Sequence, residues 1–158
     1  MLTAVPKSWF SWDFTVMDGT RAVGDIDVSC WREKGVITVE GADYRVYREG
    51  LMTGDFILAS DDKVLVRAKK PSAFRRAFIV EYAGKQYTLR PTSAWGRAFA
   101  LLDGDRVVGM LSPRGIFTRR AAIELPETMP LSVRIFIIWL AVIIWKRESD
   151  AQAATAGT

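Results

Sequence analysis

The sequence contains no histidine and only one cysteine. The first absence removes the side chain most often used as general acid, general base and metal ligand near neutral pH. The second rules out an intrachain disulfide and leaves the redox compartment open. There is no Cys-x-x-Cys pair, no glycine-rich phosphate loop ending in Gly-Lys-Ser/Thr and no Gly-x-Ser-x-Gly elbow. No acid, base and nucleophile can be named together, so the sequence points to a non-catalytic protein that calls for neither cofactor nor metal. Cys30 has no basic neighbour nearer in sequence than Arg32 and reads as apolar filler, not as a nucleophile. The opening MLTAVPKSWFSW lacks both a charged n-region and an apolar h-region, so no secretory signal is expected and the expected location is the cytoplasm. An excess of one charge sign is also missing. With 22 basic and 18 acidic residues, the net charge of +4 is too small and too dispersed to imply nucleic acid, and licenses only a preference for anionic surfaces.

What is present is a succession of strand-length segments between turn signals. The turns are Asp18-Gly19-Thr20, Glu33-Lys34-Gly35, Asp61-Asp62-Lys63, Ala83-Gly84-Lys85 and Asp103-Gly104-Asp105. Several segments alternate with period two: Phe78, Val80 and Tyr82 against Ile79 and Glu81, and Val64 and Val66 against Lys63, Leu65 and Arg67. Strands are expected at 9–17, 20–29, 36–41, 43–49, 53–60, 63–69, 77–82, 85–90, 97–102, 105–111 and 115–124, with a twelfth if one of the first two is broken. Consecutive strands joined by tight turns favour an antiparallel meander over parallel crossovers, and a sheet this long must curl or close. A closed sheet of that many strands has room for a central helix.

Residues 131–145, LSVRIFIIWLAVIIW, are apolar on every face, so this helix must be enclosed by protein or by lipid. Fifteen residues at about 1.5 Å each give roughly 22 Å, against a hydrocarbon core of about 30 Å. Arg134 shortens the uncharged run further. Length therefore favours a helix over 130–146 buried inside the barrel, with Ile135, Ile138, Trp139 and Val142 in its core and Arg134 near the barrel mouth or paired with a carboxylate. A C-terminal membrane anchor is the alternative. Residues 148–158 read as a disordered tail.

The densest basic cluster, Lys69, Lys70, Arg75 and Arg76, falls on a loop with Phe74. It reads either as a site for an anionic headgroup with Phe74 as an interfacial wedge, or as a solvated loop that keeps the protein soluble. Arg119 and Arg120 would point to opposite faces of the last strand, so one needs an inward carboxylate or the strand frays there. Of the six tryptophans, Trp139 belongs to the core, whereas Trp9 and Trp12 either plug one barrel end or contact a membrane or partner.

The segment from Phe117 to Lys146, FTRRAAIELPETMPLSVRIFIIWLAVIIWK, and hairpins such as those at 54–58 and 107–110 give a characteristic order of elements. A strand meander, a Leu-Pro linker and a terminal hydrophobic helix together resemble the tubby C-terminal-like superfamily, which contains the tubby domain, the plant LURP-one-related proteins and the phospholipid scramblases. The resemblance spans residues 9 to about 147 and rests on that order, not on invariant residues. It implies a twelve-stranded barrel around the C-terminal helix and contact with membranes or lipid headgroups. Calcium-dependent scramblases place an acidic segment before this helix, where only Glu124 and Glu127 stand here. Two separated carboxylates fall short of the about six to eight oxygens that calcium takes. Scramblase-type acylation would need cysteines beyond Cys30, and no phosphoinositide-contacting residue of the tubby domain can be placed on a position here.

The expectation is therefore one mainly β domain over residues 1–147, an antiparallel meander closed into a roughly twelve-stranded barrel around a hydrophobic C-terminal helix. Its expected role is non-catalytic binding of an anionic lipid or membrane surface, with no nucleic-acid partner. The alternatives are a protein-interaction module and a tail-anchored membrane protein.

Overall fold

The computed structural model describes residues 1–28, 33–50, 54–72, 74–115 and 118–157. Cys30 and Trp31 lie outside the described residues. The strands are β1 Leu2–Pro6, β2 Phe14–Asp18, β3 Arg21–Val28, β4 Lys34–Val39, β5 Ala42–Arg48, β6 Phe56–Ser60, β7 Lys63–Lys69, β8 Phe78–Tyr82, β9 Lys85–Pro91, β10 Phe99–Asp103, β11 Arg106–Pro113 and β12 Ala121–Glu124. One helix follows, α1 Leu131–Ala156. Each strand pairs antiparallel with its neighbours in sequence, and β1 pairs with β12 through Leu2↔Ile123 and Ala4↔Ala121, so the sheet closes into a barrel. Closure leaves no unpaired strand edge.

Three hairpins of this barrel are copies of one pattern. FTVMDGTRAVGDI (14–26), FILASDDKVLVRA (56–68) and FALLDGDRVVGML (99–111) align without a gap. Their first residues, Phe14, Phe56 and Phe99, are all fully buried. Each hairpin shifts register at the equivalent step, Val16/Met17, Leu58/Ala59 and Leu101/Leu102. Each also turns through a positive φ, 59° at Gly19, 50° at Asp61 and 60° at Gly104. The bulges add the local twist and bend that let a meander close on itself. Between the copies, the β4–β5 and β8–β9 hairpins close through two-residue turns at Glu40-Gly41 and Ala83-Gly84, where both residues have positive φ as type I′ geometry requires. In the third copy the linker 125–130 replaces that turn and leads into α1, and β1 supplies the missing strand.

Inward positions alternate along the strands and meet the helix. From Ile135 to Trp145 no residue of α1 is more than 4% exposed, which is how a helix apolar on all faces avoids both water and lipid. Trp139 stacks on Phe136 (centroids 5.7 Å apart) and meets Phe56 edge-on at 5.8 Å, and Phe56 in turn meets Phe78 at 5.2 Å. Ile135, Ile138, Trp139 and Val142 are all fully buried. The helix passes close to β3 at Gly24, where an added Cβ would lie 2.5 Å from Ile135 Cδ1 and 2.7 Å from the Thr38 carbonyl oxygen. Only glycine admits that approach.

The structure departs from the sequence expectations at the ends of elements. β1 was not anticipated. The strand expected at 9–17 starts only at Phe14, and the one expected at 115–124 starts only at Ala121, so the strand gives way before Arg119 and Arg120 have to choose a face. The disordered tail expected at 148–158 is helical as far as Ala156. Its alanines favour helix, Lys146 Nζ bridges to Asp150 Oδ2 at 2.8 Å one turn on, and Arg76 Nη1 holds Glu148 Oε1 at 2.5 Å. Arg134 lies at the barrel mouth in a cavity of about 470 Å³ that Glu124 and Glu127 also line. Its Nε is buried without a hydrogen-bond partner among the described residues. Among the described residues no helix is long and apolar enough to cross a membrane.

Candidate functional site: the long-loop rim

In an antiparallel meander the connections alternate between two ends. One end carries the tight turns that follow even-numbered strands and the linker into α1. The other carries the six longer connections, 7–13, 29–33, 49–55, 70–77, 92–98 and 114–120, together with the projecting C-terminal turns of α1. The fully exposed aromatics gather at this second end: Trp9 at 75%, Phe10 at 92%, Phe74 at 98% and Trp95 at 96%. Chemically the rim has two halves. The consecutive β7–β8, β9–β10 and β11–β12 loops carry Lys70, Arg75, Arg76, Arg97, Arg114, Arg119 and Arg120 and no acidic residue, whereas Glu33, Glu49 and Asp55 lie on the opposite half.

Two of these arginines hold the aromatic loops in place. Arg119 donates to the carbonyl oxygens of Ser11 (2.6 Å), Ser8 (3.1 Å) and Trp9, and its guanidinium lies 5.0 Å from the centre of the Trp12 ring. Arg76 does the same for the next loop but one, donating to Ser93 (3.1 Å), Ala94 (3.0 Å) and Gly96 (3.0 Å). They occupy equivalent positions, two residues before β12 and two before β8. A fork of donors gathering successive carbonyls fixes a loop that has no ladder of its own, and it leaves Trp9 and Trp95 projecting. Trp12 instead packs against the core, so the two N-terminal tryptophans have different roles and do not together plug the barrel.

The basic cluster singled out from the sequence is dispersed. Lys69 ends β7 and faces Glu81 on the barrel wall (Nζ–Oε1 3.3 Å). Arg76 is the strut just described. Arg75 is exposed, with no side-chain partner among the described residues. Lys70 turns toward a different group, in which Glu33 accepts from Arg48 Nη1 at 2.9 Å and from Arg147 Nε at 2.6 Å. Both guanidiniums lie against the Phe56 ring, at 5.0 and 5.9 Å. Burial, then the charges of Arg147 and Arg48, push the Lys70 ammonium below the ordinary lysine range, against the weaker opposing pull of Glu33. Three cations thus share one carboxylate, a local excess of positive charge.

Between the β1–β2, β9–β10 and β11–β12 loops and the projecting end of α1 lies a groove of about 1110 Å³. Trp145 lines it and is pinned by its Nε1, which donates to the Arg97 carbonyl at 2.9 Å, with the Arg97 guanidinium 5.8 Å from its ring. Sequence reasoning passed over Phe10, Arg97 and the Glu33 group. The signal for Arg97 was the absence of any acidic residue from three successive loops; Phe10 lies on a different loop and carried no such signal, nor did Glu33, whose partner Arg147 is 114 residues away. No family model, no curated protein and no solved structure matches the chain.

Proposed function

We propose that the protein is a non-catalytic, peripheral membrane-binding barrel whose long-loop rim docks on anionic lipid surfaces. The observation that carries this reading is the placing of Trp9, Phe10, Phe74 and Trp95, each at least three-quarters exposed, at one end of the barrel beside loops that bear only cations. In water such a set of exposed rings is unfavourable. At a bilayer interface the rings sit at headgroup level while guanidinium and ammonium groups meet phosphate. Each cation near an anionic leaflet contributes about 1 kcal/mol and is screened by salt. The same reading groups the chain with the tubby C-terminal-like superfamily, supported by the order of twelve antiparallel strands, the Leu125-Pro126 linker and a helix threading the barrel.

The test is co-sedimentation of the full chain with vesicles of phosphatidylcholine alone and with added phosphatidylglycerol, in low and high salt. Binding to the anionic vesicles is expected, falling as salt rises, and falling further when Phe74 and Trp95 are replaced by alanine. Equal binding to neutral and anionic vesicles, or no binding to either, would overturn the proposal. Exposed Trp and Arg also mark protein contacts; a stable protein complex that is lost on the same substitutions, with vesicle binding unchanged, would favour that reading instead.

A further inference from the structure

The groove inside the rim has a chemistry of its own. Its walls include Trp9, Phe10 and Trp12 on one side and Trp145 on another, and its charged lining is Arg76, Arg97, Arg119, Arg120 and a single carboxylate, Glu148. Glu148 is already neutralised by Arg76 at 2.5 Å. Arg119 has its donors on three loop carbonyls. Arg97 is held over Trp145 without an ion pair, and Arg120 is exposed, again without an ion pair among the described residues. A concave site of this size, at the upper end for small-molecule pockets, usually combines an apolar lining with a few convergent polar groups. Here Arg97 and Arg120 are left without an ion pair among the described residues, and much of the lining is aromatic.

We infer that this groove binds a single-chain amphiphilic anion, with Arg97 and Arg120 on the charged head and the chain against Trp9, Phe10 and Trp12. A free phosphate would satisfy the arginines and leave the aromatic walls wet; an uncharged chain would leave the arginines unpaired. The fork geometry of guanidinium suits a phosphate monoester or a carboxylate equally. The inference names a ligand within the rim and rests on reading that rim as lipid-facing.

The test is calorimetric titration of the full chain with monomeric dodecyl phosphate, laurate, dodecanol and inorganic phosphate, below the concentrations at which the amphiphiles aggregate. Saturable binding of dodecyl phosphate or laurate is expected, with dodecanol and inorganic phosphate each weaker by about a hundredfold or more. Which of the two anions binds tighter identifies the head. The double substitution Arg97→Gln and Arg120→Gln is expected to weaken binding by about tenfold or more, while Phe74→Ala, outside the groove, leaves it unchanged and lowers only vesicle binding. Thermal unfolding checks that both variants fold. Absence of saturable binding, equal binding of dodecanol, equal binding of inorganic phosphate, or insensitivity to the arginine substitutions would each overturn the inference. Absence of amphiphile binding by the parent chain with its vesicle binding intact refutes the groove alone, and the converse refutes the rim alone.

Discussion

Replacing Glu33 by glutamine is expected to destabilise the protein while strengthening its attraction to anions. Glu33 is where the projecting end of α1 is tied to the barrel wall: it accepts from Arg147 on the helix and from Arg48 on β5. Side-chain exposures of 28% for Glu33, 17% for Arg48 and 34% for Arg147 place the group between the surface and buried regimes. Breaking a fully buried pair costs about 3–5 kcal/mol, and an exposed pair contributes about 0–1 kcal/mol. The glutamine oxygen still accepts one bond, so a loss of about 2 kcal/mol follows. For a chain of this length that lowers Tm by about 4–8 °C. Urea and thermal unfolding measure the loss, and a double-mutant cycle with Arg147→Gln isolates the coupling. The same substitution leaves Lys70, Arg48 and Arg147 without their carboxylate, so binding to anionic vesicles is expected to tighten. A variant as stable as the parent, or one that binds anionic vesicles less well, would refute the reasoning.

Trp139→Ala empties the centre of the core and is expected to cost about 3–5 kcal/mol in urea unfolding. Trp139→Phe, which also removes an Nε1 that is buried without a partner among the described residues, is expected to stay within about 1.5 kcal/mol of the parent; equal stability of all three proteins would contradict the placing of the helix. Gly24→Ala drives a methyl group into Ile135 and the Thr38 carbonyl, an overpacking cost of about 1–3 kcal/mol readable as a lowered urea midpoint. Arg119→Gln frees the carbonyls of Ser8, Trp9 and Ser11. Faster amide exchange over residues 7–13 and weaker vesicle binding are expected, and unchanged exchange would show that the loop holds itself.

The barrel was legible because its hairpins are regular: period-two alternation and Gly or Asp turns placed most strands, and a helix apolar all round but short for a bilayer pointed to the core. The ends were not, and for local reasons. Residues 2–6 carry Pro6 and too short an alternation to register as a strand, yet they pair on both sides with β12 and β2. The aromatic run Trp9-Phe10 has strand composition but forms a loop because Arg119, more than a hundred residues later, gathers its carbonyls. The 13-residue hairpin repeat was present in the sequence as spaced Phe and Asp-Gly or Asp-Asp, and would have given the bulges too. Lys69, Lys70, Arg75 and Arg76 adjoin in sequence but diverge in space, since a strand end and a turn send neighbouring side chains to different partners. The rim itself emerges only when topology brings alternate loops together.

The most direct test of rim docking uses nitroxide labels in a Cys30→Ser background, one at Phe74→Cys on the long-loop end and one at Asp62→Cys on the tight-turn end, with the protein bound to anionic vesicles. Paramagnetic-relaxation accessibility should show the label at residue 74 gaining oxygen contact and losing contact with an aqueous nickel chelate, while the label at residue 62 stays water-exposed. Water exposure of both labels, or burial of residue 62 in its place, would contradict docking through the long-loop rim.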